Sequence, residues 1–126
     1  MATIKSYTDI SQSKKLAEIL PLESADMVYV HTTDLEGDEH YDIDFRNNQP
    51  LFEDDIPAWN LAALLELLPK RLEIMDNVYE LSVYLYGLYY WNIINGNLCF
   101  ESKDKDNLVD ACYEAIVFLH EQKLSL

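Results

Sequence analysis

Residues 78–102 constrain the fold more than any other part of the chain, because side chains of different character alternate along them and two glycines within them, Gly87 and Gly96, mark candidate turns. Alternation with a period of two is typical of strands whose two faces meet different surroundings. Asn95-Gly96 is a dipeptide typical of a two-residue type I′ hairpin turn, in which both residues have positive φ. Such a turn pairs Trp91 with Phe100 and places both side chains on one face.

A second turn, around Gly87, connects the first two strands of this stretch. A two-residue loop at Tyr86-Gly87 would bury Glu80 without a partner on the face of Trp91, which costs free energy. A three-residue loop over residues 85–87, with Gly87 left-handed in a bulged turn, avoids that burial. We therefore predict a three-stranded antiparallel meander over residues 78–101, with a core face of Tyr79, Leu81, Val83, Tyr89, Trp91, Ile93, Leu98 and Phe100.

The opposite face of the predicted meander is too aromatic for a surface that meets only water. It would carry Glu80, Ser82, Tyr84, Leu88, Tyr90, Asn92, Ile94 and Cys99. Large apolar patches mark contacts with other elements or with partners. Either the N-terminal strands or a helix covers this face, or Tyr84 and Tyr90 belong to an aromatic interaction surface.

Three helices are expected, over about residues 11–20, 57–68 and 105–122. Apolar residues recur at helical spacing in each, and Asp9 or Ser11 can cap the first helix. Pro57 suits the first turn of the second helix, and Asp54 and Asp55 suit its positive end. The inward stripe of the third helix is Leu108, Val109, Cys112, Ile116 and Leu119.

An N-terminal strand pair completes the predicted fold. Residues 26–32 are rich in β-branched and aromatic residues, and residues 41–45 alternate apolar with acidic side chains. In the second strand, the side chains expected to face inward are Tyr41, Ile43 and Phe45, with Asp42 and Asp44 in water. We predict one α+β domain over residues 1–126, in which the last helix covers the core face of the meander.

The charge balance excludes several classes of partner. The 126 residues include 23 acidic and 9 basic ones, for a formal net charge of −14, and the basic residues form no stripe that could bind phosphates. Anionic membranes repel such a surface as well. No run approaches the roughly 20 apolar residues of a membrane span, and residues 1–13 lack a secretory signal. We expect a cytoplasmic protein whose partners are proteins, without direct nucleic-acid or membrane binding.

The strongest concentration of charge is the acidic segment, residues 34–55, which contains a single arginine, Arg46. Its nine carboxylates are Asp34, Glu36, Asp38, Glu39, Asp42, Asp44, Glu53, Asp54 and Asp55. An EF-hand loop has glycine at position six and glutamate at position twelve. Counting from Asp34, Gly37 is at position four and Phe45 at position twelve, so this pattern does not match. We expect a solvated acidic surface that can also serve as an interaction surface.

No residue pattern indicates catalysis. His31 and His40 could join nearby carboxylates around a transition metal, but no metal-binding spacing connects them. His120 suits the negative end of the last helix. Cys99 and Cys112 lie outside any C-x-x-C spacing and are expected to be reduced core residues. We therefore predict a protein that is not an enzyme, with no catalytic, cofactor-binding or metal site.

Two segments carry a resemblance: IPAWNLAALLELLP at residues 56–69 and DNLVDACYEAI at residues 106–116. They resemble short uncharacterised proteins encoded by phages, prophages and mobile elements of gut bacteria, over most of the chain. The resemblance implies a genetic context and no site residues. The predicted helix-strand-strand-strand-helix order from Pro57 onward is also similar to double-stranded-RNA-binding domains, and its last part to antitoxins of HicB type, as topology only.

These observations favour a non-enzymatic accessory protein of phage or prophage type that acts through protein-protein contacts. A sharper hypothesis is that the acidic segment mimics nucleic-acid phosphates and inhibits a host protein that binds DNA or RNA. The carboxylates could instead serve solubility alone. Two further alternatives are an antitoxin-like partner of a toxin and a small metal-dependent enzyme that uses His31, His40 and nearby acids.

Overall fold

The computed structural model describes residues 5–85, 87–103 and 107–124. The helices are α1 (Ile10–Ala17), α2 (Leu61–Leu67) and α3 (Leu108–Glu121), with a short 3₁₀ helix at Leu22–Ser24. The strands are β1 (Met27–Thr33), β2 (Glu39–Phe45), β3 (Ile56–Ala58), β4 (Arg71–Ile74), β5 (Asn77–Tyr84), β6 (Gly87–Asn92) and β7 (Leu98–Glu101). Their antiparallel pairing gives two sheets, in the orders β2-β1-β3 and β4-β5-β6-β7. The predicted α+β class, with its N-terminal strand pair, is confirmed.

The helices follow their predicted apolar stripes, with changed ends. Asp9 caps α1 in a reciprocal pair of hydrogen bonds with Gln12, but α1 ends at Ala17, earlier than predicted. Asn107 caps α3, and the predicted start near residue 105 lies outside the described residues. The α3 side chains that are fully buried include Val109, Cys112, Ile116 and Leu119, as predicted. No helix in the described ranges is both long and apolar enough to cross a membrane.

The second helix begins four residues later than predicted, because Pro57 belongs to a strand. Pro57 lies opposite Val28 in the pairing of β3 with β1. Its missing N–H is tolerated because β3 is an edge strand of its sheet. Asn60 caps α2 instead and accepts a 2.8 Å hydrogen bond from the amide of Ala63. Asp54 and Asp55 therefore do not lie in the first turn of α2.

Strand β4 was not predicted from the sequence. It pairs with β5 through a two-residue turn at Met75-Asp76, where φ is 49° and 69°. Positive φ at both central residues is the type I′ geometry that the sequence suggested for Asn95-Gly96. Because Met75 is an unusual residue for this conformation, the turn carries no recognisable sequence signal. After Ala58 the order is therefore one helix, four strands and one helix.

The pairing around β6 is shifted by one residue from the prediction, and this shift reverses the faces of β6. Leu81 lies opposite Tyr90, and Tyr90 in turn lies opposite Phe100. Trp91 is therefore on the face opposite to Phe100. The predicted core face is wrong for Tyr89, Trp91, Ile93 and Leu98, none of which packs in the main core. Val83 shares the face of Leu81 but is 46% exposed.

A close approach of two residues lies at one end of β6. Tyr84 lies opposite Gly87, and a Cβ atom added to Gly87 would meet the Tyr84 hydroxyl oxygen at 2.6 Å. Gly87 is thus favoured by this contact and not by the predicted left-handed backbone. Residue 86, in the loop considered from the sequence, lies outside the described residues.

A longer turn follows the other end of β6. The Asn92 side chain accepts hydrogen bonds from the amides of Ile94 and Asn95. Gly96 has positive φ, at 77°, but Asn95 does not, so the predicted type I′ geometry is wrong. The turn spans more than two residues, and strand β7 begins at Leu98.

The buried face of the four-stranded sheet packs against α3. Leu88 and Tyr90 are fully buried at its centre, and the ring of Phe100 lies 4.9 Å from that of Phe118 in α3. The Tyr90 hydroxyl donates a 2.6 Å hydrogen bond to the Pro69 carbonyl, and burial raises the pKa of Tyr90. The last helix therefore covers the meander, as predicted, although on a differently composed face.

Alanine substitutions at two adjacent positions test this register. We expect Tyr90→Ala to lower the free energy of unfolding by about 3–5 kcal/mol, because it removes a fully buried aromatic side chain. Trp91→Ala should cost clearly less, since Trp91 is only half-buried on the opposite face. Urea denaturation followed by circular dichroism measures both values. A larger loss for Trp91→Ala would contradict the register.

The left-handed turn gives a second expectation. We expect Met75→Asn to raise the free energy of unfolding by about 0.5–1 kcal/mol, because asparagine tolerates positive φ better than methionine does. Little packing is lost, since Met75 is 90% exposed. Met75→Ala, which keeps the strained backbone, is the matched control and should change stability little. Equal denaturation midpoints for the asparagine and alanine variants would contradict this explanation of the turn.

Candidate interaction surfaces

The carboxylates of the acidic segment lie on β2 and on the turns beside it. All nine predicted residues are exposed, apart from a half-buried Asp55. Three of them accept hydrogen bonds from backbone amides: Asp34 in the β1–β2 turn, Asp44 from Phe45, and Asp55 from Phe52. The structure brings Asp42 and Asp44 together on one face of β2, because side chains two residues apart share a face. The predicted acidic surface thus includes three residues with local structural roles.

The guanidinium of Arg46, the basic group of the acidic segment, is bound by backbone carbonyls. It donates hydrogen bonds to the carbonyls of Leu22 at 2.8 Å, Ala25 at 2.9 Å and Gln49 at 3.1 and 3.2 Å. These contacts hold the loop after β2 against the segment before β1. Within the described ranges, Arg46 forms no ion pair with a carboxylate. No arginine or lysine among the described residues therefore forms an ion pair with the carboxylates around β2.

The two histidines of the β1–β2 pair do not converge. His31 lies opposite Tyr41, whereas His40 lies opposite Thr32, so their side chains project from opposite faces of the sheet. The nearest carboxylates are Glu39, 3.8 Å from His31 Nε2, and Asp42, 3.3 Å from His40 Nε2. In the part of the chain that the structure describes, no three His, Cys, Asp or Glu side chains are grouped as metal ligands. The structure therefore does not bring His31 and His40 together.

The remaining candidate side chains are His120, Cys99 and Cys112, and none of them lies in the acidic segment. His120 is exposed in the last turn of α3, where it was predicted. Cys112 is buried and Cys99 half-buried, and neither forms a disulfide. Burial raises the pKa of the Cys112 thiol to about 12 and also raises that of Cys99. Both cysteines pack in or against the main core, and because the thiolate is the reactive form, burial lowers their reactivity.

The predicted aromatic surface of Tyr84 and Tyr90 is wrong for Tyr90, which is fully buried under α3. Tyr84 is 38% exposed, and its ring lies 5.9 Å from the ring of Tyr89. Trp91 lies on the same side of the sheet as Tyr89, two residues along β6. The more open face of the four-stranded sheet therefore carries Tyr84, Tyr89 and Trp91. Because the pairing of β6 differs from the predicted one by one residue, Tyr90 is buried and its neighbours Tyr89 and Trp91 lie on the more open face.

Strand β2 lies at the outer edge of its sheet. The amide of Arg46 donates to the carbonyl of Asp26, and the amide of Asp34 to the carbonyl of Asp38, which fixes the alternation of hydrogen bonds along β1 and β2. By this alternation, the backbone groups of Tyr41 and Ile43 point away from β1. In the described part of the chain, no strand pairs with this side of β2. Among the described residues, the outward amides and carbonyls of Tyr41 and Ile43 thus have no backbone partner.

An apolar groove of about 590 Å³ borders the same strand. Four separate parts of the chain form it, and its residues include Tyr7, Met27, Ile43, Phe45 and Leu61. Phe45 is 60% exposed, although the sequence pattern predicted it to face inward with Tyr41 and Ile43. Only Ile43 of these three packs against the smaller core, which is centred on Met27 and Tyr29. No local sequence pattern predicts the groove, because its walls are far apart along the chain.

The basic group at the groove, Lys5, is held by a partly buried network. Its ammonium donates hydrogen bonds to Asp110 at 2.6 Å, Gln12 at 2.9 Å and Asp9 at 3.3 Å. Burial alone would lower the pKa of Lys5, but the hydrogen bond and charge of Asp110 raise it overall. Burial alone would likewise raise the pKa of Asp110, and hydrogen bonds from Lys5, Gln12 and Asn107 lower it overall. Lys5 therefore ties the N-terminal segment to α3.

No protein-family model, no curated protein and no solved structure matches this chain.

The Lys5–Asp110 pair predicts a dependence of stability on pH. A depressed carboxyl pKa in the folded state adds stability above the unfolded pKa of about 3.9, and this stability is lost as the pH falls through the folded value. We expect Asp110→Asn to be less stable than the wild type at pH 7, with a difference that shrinks below about pH 4. Glu66→Gln, at an exposed position in α2, should differ little from the wild type at either pH. Thermal melts at several pH values measure this, and a constant difference for Asp110→Asn would contradict it.

Proposed function

We propose that this chain is a non-enzymatic accessory protein of phage or prophage type that acts in the cytoplasm through protein-protein contacts. Its binding surface consists of the acidic hairpin, which we define as β1, β2 and the turn between them, together with the adjacent apolar groove. The partner carries a basic surface. The observation that carries the proposal is the combination of unneutralised carboxylates, a free strand edge and an apolar groove around β2.

The charge of the acidic hairpin supports a basic partner. Arg46 is bound by carbonyls, and the carboxylates beyond the structural ones are exposed. The whole chain has a formal net charge of −14, which adds to attraction over a distance of several ångströms. Electrostatic complementarity of this kind speeds association and selects partners of opposite charge. An acidic mimic of nucleic-acid phosphates is a special case of this proposal, in which the partner's basic surface is its DNA- or RNA-binding groove.

Exposed apolar side chains support a protein as the partner. Around β2, the large side chains of Leu35, Phe45 and Phe52 are all more than half exposed. A surface that serves solubility alone has no use for these groups, whereas a protein interface combines an apolar centre with a charged rim. The two unbonded cysteines are compatible with the reducing cytoplasm. An antitoxin-like protein bound to its toxin would use the same combination of surfaces.

Affinity capture with matched charge variants tests the proposal. The test variant is Glu36→Gln/Asp38→Asn/Asp42→Asn in the acidic hairpin, and the control is Glu18→Gln/Glu66→Gln/Glu121→Gln at exposed positions in or beside the helices. Both remove three negative charges. Captured proteins from the source organism are identified by mass spectrometry, purified and tested again for direct binding in rising salt.

We expect the wild type and the control to retain a basic partner with an affinity that falls as salt rises, and the hairpin variant to lose it. A hairpin variant that binds the same purified partner as well as the control does would contradict the proposal. Competition by duplex DNA for that partner separates nucleic-acid mimicry from other contacts.

A further inference from the structure

We propose that the outer edge of β2 takes up an extended segment of the partner in which basic and apolar residues alternate, as an added antiparallel strand. This inference rests on the proposed function and specifies the chemistry of the bound segment. Strand addition of this kind derives affinity from backbone hydrogen bonds and specificity from alternate side chains.

The backbone of β2 provides the first argument. Tyr41 and Ile43 direct their amides and carbonyls away from β1, because the hydrogen-bonded pairs of this hairpin fall on the even-numbered residues of β2. The outward amide of Phe45 is already bound by the Asp44 carboxylate at 2.8 Å. The available edge is therefore short, and Ile43 is the residue at its end nearest the groove. A residue placed opposite Ile43 can exchange two backbone hydrogen bonds with it.

The groove provides the second argument. Ile43 and Phe45 line the 590 Å³ groove, and they share one face of β2. The side chain of a peptide residue opposite Ile43 projects to that same face. An apolar side chain at this position would enter the groove between Phe45 and the Tyr7 and Leu61 walls. The residue opposite Ile43 is therefore expected to be apolar.

The alternation of charge along β2 provides the third argument. Asp42 and Asp44 flank Ile43 and project from the other face of the strand. Peptide residues opposite them point to that face, where opposite charges directly across from each other are favourable. A partner segment of the pattern basic-apolar-basic thus matches the edge at three successive positions.

The same alternation disfavours a second copy of this chain as the occupant. If two β2 edges met around Ile43, the carboxylates of Asp42 and Asp44 would lie directly across from carboxylates of the other copy. Like charges in that position are destabilising. A basic segment of another protein removes this conflict.

Backbone N-methylation of a synthetic peptide tests the edge directly. The probe is an acetylated, fluorescently labelled peptide of alternating lysine and valine, titrated with the full chain by fluorescence anisotropy. N-methylation of the valine amides blocks the hydrogen bonds to β2, and N-methylation of the lysine amides modifies only the opposite edge. We expect the first to weaken binding by about tenfold or more and the second to change it little.

Charge variants with matched controls test the side-chain pairing. Asp42→Asn/Asp44→Asn should weaken binding of the unmodified peptide by about fivefold, while Glu53→Gln/Asp54→Asn, with the same change in charge away from the edge, should have a smaller effect. The side-chain oxygen of an asparagine at position 44 can still accept the amide of Phe45, so the strand is retained. Circular dichroism spectra of both double variants confirm that the fold is kept.

Three outcomes overturn the inference. The first is no saturable binding of the peptide, and the second is an equal loss of affinity for both N-methylated peptides. The third is a chain that self-associates in sedimentation through its β2 edge. If the hairpin charge variant loses a captured partner but both N-methylated peptides bind alike, strand addition fails while the proposed function stands. If the hairpin charge variant keeps every partner, the proposed function fails as well.

Discussion

The pairing of β1 with two neighbours is the constraint on which the rest of the structure depends. Met27 lies opposite both Phe45 of β2 and Ala58 of β3, so β1 is the centre of its sheet and β2 is an edge. The Tyr29 hydroxyl donates a 2.7 Å hydrogen bond to the Thr8 carbonyl, and burial raises the pKa of Tyr29 to about 12. This contact fixes one face of the sheet against the N-terminal segment. The register of β1 with β2 also determines which backbone groups of β2 point to β1 and which point to the outer edge.

A buried polar network joins this sheet to the larger core. Thr8 and Ser13 share a 2.7 Å hydrogen bond, and the Thr8 hydroxyl accepts the amide of Trp59. Trp59 is fully buried in the main core, directly after Ala58 in the smaller one. The hydrogen bonds of Lys5 to Asp110 extend the connection to α3. Because these buried polar groups are hydrogen-bonded, their burial is compatible with a stable core.

The sequence was sufficient for the class of fold and for the elements with strong periodicity. The apolar stripe of α3 was predicted from its helical period, and the pairing of residues 26–32 with residues 41–45 from β-branched and aromatic content in the first strand and alternation in the second. Strand β4 and the start of α2 were missed, because a type I′ turn at Met75-Asp76 and a proline in an edge strand are exceptions to residue preferences. The structures of these two segments depend on tertiary contacts, which local sequence patterns do not predict.

The register of β6 shows why the candidate surfaces were harder to predict. Both faces of this strand carry aromatic residues, so the sequence pattern did not distinguish Tyr90 from Trp91, and the observed pairing of Leu81 with Tyr90 places Tyr90 on the buried face. The acidic surface was easier to locate, because concentrated charge is exposed in almost any fold. The groove beside the acidic surface is formed by the N-terminal segment, β1, β2 and the start of α2. No local sequence pattern predicts it.

Amide hydrogen exchange along β2, measured by NMR on the free protein, tests most directly whether this strand has a free edge. The account predicts an alternating pattern: the amides of Asp42 and Asp44, which face β1, exchange slowly, and those of Tyr41 and Ile43 exchange quickly. Equal protection at all four positions, or protection of Tyr41 and Ile43 alone, would contradict the register and the edge that depends on it.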